Sequence, residues 1–191
     1  MQSPLELFIR AKVKNPRQEE IDSILSLFGL REFKKGEIFK ASHTISKELA
    51  YILTGSARIF VINSRGDEVT SSIVREHQFF ADLISVRANQ ATPLILHFVE
   101  DSTALVASIE AHKELIETNL AYNILIREHL AEEAMNFYKR QILFVTGNSR
   151  DRYQFIVDND PQLLKRFPLR FIASMIGITP TQLSRIRNKK E

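Results

Sequence analysis

Residues 171–187, FIASMIGITPTQLSRIR, bring together side chains suited to reading the edges of nucleic-acid bases. Arg185 offers a forked guanidinium that bonds a guanine edge through two donors, worth roughly 1–3 kcal/mol per contact. Thr181, Gln182 and Ser184 beside it add further donors and acceptors. On a helix that begins at Pro180, positions 181, 184 and 185 share one face, because they lie three and four residues apart. Lys189, Lys190 and Arg170 are suited to phosphate contacts, which hold position without reading sequence, and Arg187 is a further DNA-binding candidate on the outward face. The competing reading is a plain helical hairpin held by packing, and such a hairpin needs no basic outer face.

The elements that position these residues follow from the same segment. Phe171, Ile172, Met175 and Ile176 give a first helix an apolar face, with Ala173 small enough for close packing. Gly177 supplies a sharp turn, and Ile178 plugs the angle behind it. Thr179, Pro180 and Gln182 form a helix start, with Thr179 as N-cap and Gln182 closing a T-x-x-Q capping box. Leu183 and Ile186 then face inward. The expectation is a helix–turn–helix whose second helix is polar and basic on its outer face.

Charge supports that reading. The 191 residues carry a net charge of +3, unevenly spread. Eleven cations and four anions over residues 139–191 give +7, and the remainder carries −4. A basic C-terminal segment on an acidic body points to a polyanionic partner, nucleic acid first. With 44% hydrophobic and 26% charged residues the composition is globular. The chain has no Cys, which excludes disulfides, thiolate zinc sites, Cys-ligated iron–sulfur clusters and Cys nucleophiles. No apolar run approaches the ~18–20 residues of a membrane span, and the N-terminus does not read as a signal peptide. A soluble, cytoplasmic protein without a membrane partner is expected.

Upstream of the motif the hydrophobic period changes twice. Residues 1–31 read as helical, with an apolar face at Ile21, Ile24, Leu25, Leu27 and Phe28. Residues 33–109 carry short β-rich runs separated by turns, among them the hairpin loop 63–67 with Gly66. Many short strands at this spacing predict a sandwich or barrel-like roll. Residues 79–87 break the pattern as a short helical turn. From 110 to 145 the pattern is helical throughout. Two apolar seams run along it, one through Leu130, Ala134, Phe137, Gln141 and Phe144, the other through Ile124, Ala131, Met135, Tyr138, Ile142 and Val145. Two seams call for two partners: the helix's own β domain, and a second copy in a parallel dimer. Ile124, Leu130, Phe137, Tyr138 and Phe144 are the candidate dimerisation residues. Residues 146–149 form a small, polar boundary. The expected organisation is α+β: N-terminal helices and β-roll over 1–118, a long dimerisation helix over 119–146, and a helix–turn–helix domain over 147–191.

In this order of parts the chain resembles the Crp/Fnr family of bacterial transcription regulators. The resemblance rests on FIASMIGITPTQLSRIR, on KKGEIF at 34–39, on YILTGSARIF at 51–60, and on Asp67, Glu68 and Val69. It implies a double-stranded β-helix of the cyclic-nucleotide-binding type, a winged-helix-like domain with a reduced wing, an inverted-repeat operator and RNA polymerase as a further partner. It also places base contacts at Thr181, Ser184 and Arg185. The family often has Glu where this chain has Thr181, so the operator is expected to depart from the usual half-site.

Family members that bind cyclic nucleotides use a cassette opened by Gly-Glu and closed about ten residues later by Arg with Ser or Thr. The matching place here is Phe80, Ala81 and Asp82, and ten residues on stands Thr92 instead of the Arg. Arg87 is the nearby cation of this candidate effector pocket. cAMP and cGMP are therefore not expected as ligands, and the effector is unidentified or absent. A haem sensor would need an axial ligand, but His43, His77, His97, His112 and His129 are scattered without a motif. No catalytic residue or metal ligand set stands out, and the enzyme reading, a cupin-like metalloenzyme, lacks its His pair. The sequence thus points to a dimeric DNA-binding regulator. The rival is a cytoplasmic small-ligand-binding β-roll that does not bind DNA.

Overall fold

The computed structural model of the chain describes residues 2–188. The elements run α1 (Pro4–Lys12), α2 (Gln18–Ser26), β1 (Gly29–Phe33), β2 (Ile38–Lys40), β3 (Glu48–Thr54), β4 (Ala57–Ile62), β5 (Glu68–Val74), β6 (Phe79–Phe80), α3 (Leu83–Ala88), β7 (Ile95–Phe98), β8 (Ser102–Ser108), α4 (Ile109–Thr118), α5 (Leu120–Thr146), α6 (Ser149–Asn159), α7 (Leu163–Arg166), α8 (Leu169–Met175) and α9 (Pro180–Asn188). They group into two compact units, one of residues 2–61 and 73–131, the other of residues 62–72 and 132–188.

Two four-stranded sheets, ordered β1-β8-β3-β6 and β2-β7-β4-β5, make the β-roll. Strand β3 shows why the roll is covered on two sides. Its period of two sends Ala50 and Ile52 into the core between the sheets, with Phe33, Phe80, Leu96 and Phe98. It sends Leu49 and Tyr51 the other way, into a core shared with Leu5, Ile9, Ile21 and Ile24 of the first two helices and with Tyr122 and Leu125 of α5. A strand covered on both faces reads as a continuous apolar run, and LAYIL does so. At the β3–β4 turn Gly55 has φ +88, and a Cβ there would lie 2.1 Å from the Ser102 hydroxyl oxygen. Only glycine fits.

Two boundaries differ from the sequence expectation. The N-terminal helical pattern ends at Ser26, and the chain enters β1 at Gly29, paired with β8. The helical stretch 110–145 is two helices. Asn119 is extended, its Oδ1 accepts from the Tyr122 N–H at 2.9 Å, and its Nδ2 donates to the Glu20 carbonyl at 3.0 Å. The apolar period runs across the break because α4 and the start of α5 bury residues in the same core, while Asn119 caps the second helix.

His112 on α4 is buried, and its Nδ1 lies 2.8 Å from the Tyr122 hydroxyl. Burial, reinforced by Lys113, pulls its pKa down to about 4 from the usual 6.5. The unfolded chain therefore binds the proton first. This group's contribution to stability is whole above pH 6.5 and falls away between pH 6.5 and 4, by up to about 3 kcal/mol. Urea titrations at pH 7.5 and 4.5 check this: His112→Gln should reduce the loss of stability on acidification.

In the second unit, residues 62–72 of the β4–β5 hairpin join the C-terminal helices. The buried Thr70 N–H donates to Ser174 Oγ at 3.2 Å, and the Ser174 hydroxyl donates to Thr70 Oγ1 at 2.8 Å.

Candidate functional site

Helix α8 buries Phe171, Ile172 and Ala173 and ends at Met175, with Ile176 as its C-cap. Gly177 turns the chain at φ +70, and the Ile178 N–H returns to the Ala173 carbonyl at 3.0 Å. The expected capping box is formed reciprocally: Gln182 N–H donates to Thr179 Oγ1 at 3.1 Å, and Thr179 N–H to Gln182 Oε1 at 2.9 Å. Leu183 is fully buried and Ile186 half-buried, which fixes the rotation of α9. Thr181, Gln182, Ser184, Arg185 and Arg187 are left exposed. Arg170 is exposed as well, its guanidinium 5.1 Å from the Phe171 ring. Lys189 and Lys190 lie outside the described residues.

The segment leading into this motif is capped as tightly. Asn148 Oδ1 accepts from the N–H groups of Arg150 and Asp151, and the Asn148 N–H donates to Asp151 Oδ2 at 2.8 Å. From α6, Arg152 reaches two carbonyls. Nη2 donates to Gly147 at 3.3 Å and Nη1 to Ile176 at 3.2 Å, while the guanidinium lies 4.7 Å from the Phe144 ring. In the sequence Arg152 reads only as one of the eleven cations of residues 139–191.

The proposed dimerisation residues fall into two groups. Ile124 packs on the first unit's core. Leu130, Phe137, Tyr138 and Phe144 are exposed, as are Met135, Ile142 and Val145. Tyr138 at 67%, Ile142 at 62% and Val145 at 76% exposure form one uncovered apolar stripe. A run of this size on one helix is unusual for a free surface.

In the β-roll, Phe80, Asp82 and Thr92 are buried, Ala81 is half-buried, and Arg87 is exposed on α3. The structure brings Asp82 and Thr92 together around a cation the sequence did not reveal. Lys40 Nζ lies 3.2 Å from Asp82 Oδ2, with side chains 3% and 0% exposed. It also donates to Thr92 Oγ1 at 3.1 Å and to the Leu94 carbonyl at 2.9 Å. The Thr92 hydroxyl donates to Asp82 Oδ2, and Asp82 Oδ1 caps α3 by accepting from Ser85 N–H at 3.0 Å. The charges are thus paired and hydrogen-bonded, as burial demands.

The five His stay apart in role. His112 bonds Tyr122, His129 lies against Phe8 and Phe79, and His97 lies beside Phe60. His43 and His77 sit at left-handed turns. Among the described residues no group of three His, Asp or Glu comes together as a metal site, and no helix is long and apolar enough to cross a membrane.

A β-roll of the cyclic-nucleotide-binding type, a long helix and a helix–turn–helix, in this order, define the Crp/Fnr-type fold. Among solved structures, the Catabolite Activator Protein of Thermus thermophilus is 19% identical with a TM-score of 0.60, over 97% of this chain and 85% of that one. FixK2 from Bradyrhizobium japonicum is 14% identical with a TM-score of 0.72, over 85% and 83%. A transcriptional regulator of the crp/fnr family from Eubacterium rectale is 12% identical with a TM-score of 0.67, over 90% and 82%. At these identities the likeness is one of fold. No protein-family model matches the sequence, and no curated protein does.

Proposed function

We propose that this protein is a sequence-specific DNA-binding transcription regulator acting as a homodimer. The observation that carries the reading is the exposed face of α9, where Thr181, Ser184 and Arg185 stand clear of a buried Leu183. The +7 charge of residues 139–191 supports it, as does the fold shared with regulators. A second copy covers the apolar stripe of α5. Two recognition helices then enter successive major grooves, about 34 Å apart, on an inverted repeat. Contact with RNA polymerase belongs to the same reading. The chain acts by binding, and the β-roll takes no cyclic nucleotide. Its buried cation already holds Asp82, and an incoming phosphate would have to displace or approach that carboxylate.

Selection from randomised DNA tests the reading. An inverted repeat should be enriched, and failure to enrich any motif would refute it. On the selected operator, Arg185→Ala should cost about 1–3 kcal/mol and relax preference at one base pair per half-site. Arg170→Ala should weaken all sequences alike and flatten the salt dependence. Calorimetry with cAMP and cGMP should give no binding at micromolar concentration.

A further inference from the structure

We propose that Arg152 is a positioning residue that fixes the direction of the recognition helix relative to the apolar stripe of α5, and so sets the half-site spacing the protein accepts. The inference rests on the DNA-binding, dimeric reading above.

Three parts of one unit meet at this side chain. Phe144 belongs to the last turns of α5, Gly147 to the segment between α5 and α6, and Ile176 to the turn between α8 and α9. The guanidinium stacks on the first and bonds the carbonyls of the other two. A planar fork with separated donors suits this bridge, whereas a lysine ammonium is a point charge at the end of a flexible stem. The turn is built around the same group. A Cβ at Gly177 would lie 3.3 Å from Arg152 Nη1 and 3.3 Å from Phe144 Cε1.

The bonding pattern speaks for position over stability. Arg152 Nε is buried without a hydrogen-bond partner. An orphan donor of this kind is destabilising, so the side chain is not optimised for stability alone. What it does accomplish is to tie the end of the stripe-bearing helix to the turn from which α9 departs. In a dimer the stripe lies on the symmetry axis, so an angle fixed against the stripe becomes a fixed distance between two recognition helices. Operator spacing is the quantity that reads that distance.

The test compares the unmodified protein with Arg152→Ala and with Arg152→Lys, which keeps the charge and most of the packing should the alanine variant fold poorly. Operators are built from the selected half-sites with the native spacer and with spacers one base pair shorter and longer. The unmodified protein should prefer the native spacer by about tenfold or more, and the variants by about threefold or less. A role confined to stability would lower binding to all three operators equally and leave their ratio unchanged, which would overturn the proposal. Hydrogen exchange without DNA provides a second arm. The Gly147, Gly177 and Ile178 amides should exchange about tenfold faster in the variants, and unchanged rates would equally overturn the bridge. If the unmodified protein selects no DNA, the functional reading fails, and the exchange arm alone decides whether Arg152 holds these segments together.

Discussion

Replacing Lys40 with Met should lower the unfolding free energy by about 3–5 kcal/mol, because it leaves Asp82 charged, buried and deprived of its cation. The Asp82 side chain is 0% exposed, so water does not take over from Lys40. Its remaining partners, the Thr92 hydroxyl and the Ser85 N–H, supply hydrogen bonds but no opposite charge. The double variant Lys40→Met with Asp82→Leu should recover much of the loss, since replacing both partners removes the desolvation penalty along with the attraction. Denaturant titration of the two single variants and the double variant gives the coupling energy directly. A Lys40→Met midpoint equal to that of the unmodified protein would show that the pair contributes nothing.

Tyr138→Asp combined with Ile142→Asp should produce a folded monomer that no longer binds its operator. Both side chains are more than 60% exposed, and the Phe137 ring that Tyr138 touches is itself exposed, so the changes leave the buried packing intact. In a dimer the two residues, four apart on α5, would face the partner helix. Two carboxylates per chain would then be desolvated against two more, without cations. Loss of the second half-site removes the avidity of linked sites, about 10²–10⁴ in affinity. Sedimentation of the unmodified protein should give a dimer at micromolar concentration, with the variant at half that mass. An unmodified protein that sediments as a monomer would leave the exposed stripe without its proposed cover. Phe144 is the less suitable position for this test, because its ring already serves Arg152.

What could be read from the sequence divides by the range of the interaction. The helix–turn–helix was legible because its determinants are local. Thr179 and Gln182 cap each other across three residues, and Gly177 marks its own turn. The β-roll was legible strand by strand through the period of two, except where pairing alone defines the strand. β6 has only two residues and exists because Ala50 and Tyr51 lie opposite Phe80 and Phe79. Lys40 was hidden because its partners lie in distant sequence. In KKGEIFK it looks like the last charge of a solvated turn, and its contact with Thr92 spans 52 residues. Arg152 was hidden similarly, since its fork closes on two backbone carbonyls and carbonyls leave no mark in a sequence. Asp82 stands out for its place in the cassette-like stretch, but the cation named beside it in that candidate pocket, Arg87, is exposed, and the buried partner of Asp82 is Lys40.

The contact between Thr70 and Ser174 has a consequence for synthesis. The two residues are 104 apart in the chain. At ~5–20 residues per second a ribosome needs roughly 5–20 seconds to produce that interval. During this time the hairpin has no partner from the C-terminal helices, and β5 is the last strand of its sheet, with an unpaired edge. An unpaired edge in a nascent chain is an aggregation hazard. This one begins Glu-Val-Thr-Ser-Ser, a hydroxyl-rich run with a carboxylate at its head. Such a strand is poor at recruiting a stranger's apolar β segment. The polar residues that keep the waiting edge soluble include Thr70, the residue that later docks on Ser174, so one side chain serves the chain before and after its unit is complete.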